Sequence, residues 1–148
     1  MTYQEKKSIV SLITVILIFG FYCLYMYPQH PEEGLGSSET FRYWGSFVLK
    51  LTLVSIVVHI LISIIFNIVY RITTREKEPA FADELDKLIA LKAYRNSFFV
   101  FIIGFLLAMG SIVFYQPSQA MFIILIISGF LSDVTGSVSK IYHYRRGV

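Results

Sequence analysis

Ionisable side chains are scarce in the apolar parts of this chain, so the few found there are the first candidates for chemistry. His59 lies in an apolar run over residues 45–69, and Asp133 in another over residues 120–139. Successive residues of a helix advance by about 100°. On that wheel Thr52, Ser55, His59 and Ser63 share a stripe, with Asn67 at its margin and Lys50 on the opposite side. In the later run Gly129, Asp133, Gly136 and Lys140 share a face, flanked by Ser132 and Ser137. His59 comes about 15 residues after the outer end of its run and Asp133 about 13 after its own, roughly 22 and 20 Å at helical rise. The two therefore could meet at one depth. A carboxylate beside an imidazole favours the ion pair, and such groups inside a membrane can relay protons. The plainer reading has Asp133 reaching the interface with Ser137 and Lys140, and His59 bonded to Ser55, Ser63 or a backbone carbonyl. Both readings stand on the sequence.

The second candidate is acidic: Asp83, Glu84 and Asp86, followed by Lys87. Their spacing matches no complete cation ligand set, which leaves a solvated helix face suited to docking a partner. No nucleophile–base pair, phosphate-binding glycine loop or metal motif occurs. His30, His59 and His143 are scattered, and Cys23 is the sole cysteine, so neither an internal disulfide nor a thiolate metal site can form. The chain reads as non-enzymatic, with no cofactor and no metal.

These groups must be positioned by elements that cross a bilayer. Only 16% of the 148 residues are charged, against about a quarter in a soluble domain. The charge is withdrawn from four blocks, near residues 8–27, 45–69, 96–115 and 120–139. Each has the roughly 20 apolar residues that a span needs. The first block follows Lys6-Lys7 and could pass for a signal peptide. It is long for one, however, and ends in Tyr22, Tyr25 and Tyr27 where a small-residue cleavage site would be. It reads as a retained span with an aromatic interface. Pro28, Pro31, Gly34 and Gly36 mark a loop, and residues 116–119 a very short turn. Eleven Lys and Arg lie in the N-terminal, central and C-terminal polar segments, against one, Arg42, in the two remaining loops. By the positive-inside rule both termini and the central segment are cytoplasmic. The net charge of +3 is accounted for by these membrane-edge cations, and nucleic acid is not an expected partner.

The central segment, residues 71–95, is the only long polar interval. Glu78-Pro79 suits a helix start, and Phe81, Leu85, Leu88 and Lys92 follow helical spacing. An amphipathic helix from about Ala80 is predicted, lying on the membrane or running on into the third span. Gly104, Ala108 and Ser111 in the third span, and Gly129 and Gly136 in the fourth, offer small-residue surfaces for close helix packing. The expected architecture is thus a single all-α domain over residues 1–148. It is a polytopic membrane protein with four transmembrane helices plus a cytoplasmic amphipathic helix, N-in and C-in.

The string from Glu76 to Ala93 (EKEPAFADELDKLIALKA), the following Asn96-Ser97-Phe98-Phe99 and the closing Tyr142-His-Tyr-Arg-Arg-Gly resemble a group of small bacterial four-span inner-membrane proteins. Their cytoplasmic loop carries an acidic motif of the Asp-Glu-x-Asp-x-x-Ile-x-x-Lys type, and they are often encoded beside a small helix-turn-helix regulator. The resemblance implies a multi-pass protein of the bacterial inner membrane and brings no catalytic residues. Leu85 departs from the pattern, standing where many members carry a polar residue. The expected role is interaction or regulation through the cytoplasmic loop, with the bilayer, a cytoplasmic protein and a second copy of the chain as the partners in view. The alternative is a small transporter or channel subunit using His59 and Asp133.

Overall fold

The computed structural model describes residues 3–26, 37–74 and 84–146. They form four helices: α1 (Tyr3–Met26), α2 (Ser37–Thr74), α3 (Glu84–Val113) and α4 (Ser118–Arg146). Each is long and apolar enough to cross a membrane, and each turns large apolar side chains outward, among them Leu24, Leu49, Leu106 and Ile127. A water-soluble bundle would hide these residues; hydrocarbon is the solvent that suits them.

All four helices outrun the expected spans, α1 by its start at Tyr3. At 38 residues, α2 measures about 57 Å at 1.5 Å per residue, well beyond a bilayer core of about 30 Å. It starts at Ser37 rather than near residue 45, because Glu39 in its first turn complements the partial positive charge of a helix N-terminus. Residues 84–95 are the opening turns of α3 and run without a break into the third span. A separate amphipathic helix is therefore absent from the described residues, and its expected start near Ala80 lies outside them. Leu85, Leu88 and Leu91 of that predicted face are exposed, whereas Ile89 and Ala93 are fully buried.

The closest pairing is α3 with α4, and α4 also touches α1 and α2. The inward stripe of α3 reads Asp86, Ile89, Ala93, Ser97, Gly104 and Ala108. Its steps of three, four and seven residues keep one helix face turned to α4. Opposite it, α4 presents Ser128, Ser132, Gly136 and Ser139. The Ser97 hydroxyl donates to the Ser132 carbonyl at 2.8 Å, and the Ser132 hydroxyl donates back to the Ser97 carbonyl at 2.9 Å. Asn96 Nδ2 donates to Ser139 Oγ at 2.9 Å. Between α3 and α4 the chain turns in a Schellman motif, with Gln116 N bonded to Ser111 O and Tyr115 N to Ile112 O. Tyr115 takes the left-handed position at φ 56°, where glycine is the usual occupant.

The starts of α1 and α3 and the ends of α2 and α4 gather at one face of the bundle. Tyr3 bonds Asn67, Glu5 Oε1 accepts from Arg145 Nε at 2.8 Å, and Asn96 reaches Ser139. That face carries Lys6, Lys7, Arg71, Lys87, Lys140 and Arg145. The opposite face is aromatic: Met26, Trp44 and Phe47 form a buried cluster with Tyr22, Tyr43 and Phe122 packed on it.

Of the small residues expected at helix contacts, Gly104 and Ala108 are buried against α4, and a Cβ on Gly136 would sit 3.5 Å from the Ser97 side chain. Gly129 does not pack: nothing lies within 4 Å of where its Cβ would be. A methyl on Gly104 would overlap the side chain of Ser128. Gly104→Ala is expected to cost about 1–3 kcal/mol through overpacking, while Gly129→Ala changes little. Thermal unfolding of the two variants in detergent measures the difference.

Candidate functional site

The central part of α2 is held weakly. Trp44 and Phe47 are its only buried side chains among the described residues, and its side-chain ties to the other helices cluster near its ends. At the aromatic face Tyr22 OH donates to Phe47 O at 3.2 Å, and Phe122 stacks on Trp44 with centroids 6.4 Å apart. At the cationic face Tyr3 bonds Asn67 and packs edge-on against Tyr70 at 4.7 Å.

Between those ties a cleft of about 810 Å³ opens among α1, α2 and α4. Its walls are apolar: Val15, Ile18, Phe19 and Phe130, Val48 and Leu51, Leu125 and Ile126, with Phe101 of α3. Phe19 and Phe130 stack at 4.1 Å across the α1–α4 contact. Thr52, Ser55 and Asp133 are the polar groups on the lining. Thr52 spends its hydroxyl on the Val48 carbonyl at 2.9 Å, and among the described residues Asp133 is the only ionisable group on the wall. From Ser118 to Asp133 is about 22 Å at helical rise, near the midpoint of α4.

The structure divides the polar stripe of α2. Ser55 faces the cleft with Asp133, whereas His59 and Ser63 line a neighbouring recess against Val10, Ser11 and Thr14 of α1. Asn67 is engaged by Tyr3. His59 and Asp133 nonetheless lie within electrostatic reach of one another. His59 Nδ1 is 2.9 Å from the Ser55 carbonyl. A carbonyl can only accept, so in this bond Nδ1 carries the proton. Lys50 is exposed on α2. Gly129, expected at a helix contact, lines the cleft instead and widens it where a side chain would intrude.

The acidic residues do not act as one face. Glu84 and Lys87 are exposed in the first turn of α3, and Asp83 lies outside the described residues. Asp86 turns inward, one turn ahead of Ile89, and accepts a hydrogen bond from the Tyr144 hydroxyl of α4. Sequence reasoning missed this pair, as well as Ser97, Ser128 and Ser139. The signal was present, since Ser128, Ser132, Gly136 and Ser139 recur at helical spacing. Among the described residues no group of three or more His, Cys, Asp or Glu could hold a metal ion.

Comparison with protein-family models, with curated proteins and with solved structures finds no match to this chain.

Burial, together with the hydrogen bond and negative charge of Asp86, pushes the Tyr144 hydroxyl above its ordinary range. Its folded value exceeds the unfolded one, so this contribution to stability is complete below about pH 10 and lost as pH rises through the folded value. Wild type is expected to lose thermal stability more steeply above about pH 10 than Tyr144→Phe. Parallel melting curves across that range check it.

Proposed function

We propose that this chain is a non-enzymatic multi-pass membrane protein that takes up amphiphilic cations from the bilayer, with Asp133 as counter-charge. One observation carries the reading: a single carboxylate stands on the wall of an otherwise apolar cleft of about 810 Å³. That volume is in the range of small-molecule sites, which pair apolar walls with a few placed polar groups. Lipid chains would satisfy the apolar walls and leave the carboxylate without a counter-charge. A ligand with aromatic or aliphatic bulk and one positive group satisfies both. His59 bears on the exchange, because its charged form and a bound cation would compete for the field of Asp133. Such competition is the basis for coupling uptake to proton release, as a small transporter subunit requires. Docking through the acidic segment has less support, since Asp86 is committed to Tyr144.

In this reading the cationic face is cytoplasmic by the positive-inside rule. The resemblance of residues 76–93 to small bacterial four-span proteins supports assigning that membrane, within this proposal, to the bacterial inner membrane. Reporter fusions at Gly34 and Pro79 are expected to report opposite sides of the membrane, with Pro79 inside; a translocated Pro79 fusion reverses the orientation.

Binding of tetraphenylphosphonium to the purified protein in nanodiscs tests the site. Asp133→Asn should weaken it by at least about tenfold, the equivalent of 1.4 kcal/mol, while Glu84→Gln leaves it unchanged. Equal affinity for wild type and Asp133→Asn would remove the proposal.

A further inference from the structure

A second site is carried by different residues. Lys7 of α1, Lys87 of α3 and Lys140 of α4 line one recess of about 340 Å³ at the cationic face, together with the hydroxyl-bearing Ser8, Ser11 and Ser137. Among the described residues Asp86 is the only carboxylate on that lining, and it is already engaged with the Tyr144 hydroxyl. Lys87 and Lys140 outnumber that carboxylate among the described residues, so the recess carries a positive excess without counting Lys7. Lys140 Nζ sits 4.9 Å over the Tyr94 ring and Lys7 Nζ 5.8 Å over the Tyr3 ring. The contact at Tyr94 restrains the Lys140 ammonium without neutralising it. We propose that this recess binds the phosphodiester of an anionic phospholipid from the leaflet on the cationic face.

The lipid, rather than a free anion, is indicated by the neighbouring recess. It has a volume of about 350 Å³, lies between α1 and α2, and shares Lys7 and Ser11 with the first. Beyond those two residues its walls are mainly apolar, with Val10, Ile60, Ile62 and Phe66, and Thr14, His59 and Ser63 set among them. From Lys7 to Thr14 it runs about 10 Å along α1 at helical rise, toward the centre of the bilayer. A phosphate held by lysines beside an apolar trough that starts at the same lysine is the layout of a headgroup with one chain. Basic pockets between spans are a recurring means of holding anionic lipids. Neither recess shares a lining residue with the cleft at Asp133, and the variants used below spare both Asp133 and His59, so the two proposals are tested separately.

Native mass spectrometry of the full chain released from detergent tests the assignment, with phosphatidylglycerol, phosphatidylcholine or inorganic phosphate added. Wild type should retain phosphatidylglycerol over phosphatidylcholine. Lys87→Gln should reduce that preference by about fivefold, and Lys87→Gln with Lys140→Gln further, as expected for lysines at a membrane surface. Arg71→Gln removes a cation from the same face but outside the recess, and should leave the preference intact. Ile60→Trp, which fills the trough, should weaken phosphatidylglycerol and not inorganic phosphate. Equal retention of the two lipids overturns the proposal, as does an equal loss in Arg71→Gln. Lysine-dependent binding of inorganic phosphate with no effect of Ile60→Trp assigns the recess to a free anion and overturns the lipid reading.

Discussion

The interface between α3 and α4 is the constraint on which the rest depends. Inside a bilayer no hydrophobic force drives one apolar helix against another, because lipid is as apolar as leucine. Association then rests on close packing and on hydrogen bonds that a lone helix cannot make. Here both are present along one line. Gly104 lets α3 approach the Ser128 side chain, while Ser97 and Ser132 exchange hydroxyl bonds with each other's carbonyls. Bonds of this kind contribute on the order of 1 kcal/mol each, and the contact has several along its length. The tight turn at Tyr115 keeps the two helices antiparallel, so little chain entropy is lost in bringing them together.

Because α3 commits one face to α4, the other sides of α4 are left to α1 and α2. Its α1 side is filled by the Phe19–Phe130 stack and by the Glu5–Arg145 pair. Its α2 side is closed only near the aromatic face, where Phe122 meets Trp44 and Phe41. Below that seal Asp133 looks into open space instead of into a packed interface. The position of the carboxylate thus follows from helical phase: Ser132 points at α3, and the next residue, about 100° further round, points toward the cleft.

The four helices were legible in the sequence because withdrawal of charge over twenty or more residues has few other causes. Their ends were less so, since the polar residues at 37–44 and 84–95 look like loop to a hydropathy count. Those residues remain helical outside the apolar core, where water satisfies their side chains. Depth and phase put His59 and Asp133 at one level, but the structure sets them on neighbouring recesses, a division that one helix wheel does not reveal. The cleft could not, as a void is a property of three helices at once and leaves no trace in any one of them. Gly129 shows the same limit. Its spacing with Gly136 suggested a packing surface, but one glycine of the pair meets a neighbour and the other meets space. Asp86 was read with Glu84 as part of a solvated face, though residues two apart on a helix point about 200° from one another and only Asp86 shares the phase of Ile89.

Fastened near its two ends and bare between them, α2 resembles a bar resting on two supports. The gap beneath such a bar is set at the supports. Tyr3 and Asn67 hold one, and Tyr22, Trp44 and Phe122 hold the other. A change of side-chain volume at either support would tilt the whole bar and alter the aperture near Asp133, many residues away from any atom that lines it. The gauge of the opening is therefore written in aromatic side chains near the ends of the helix, remote from the carboxylate on its wall.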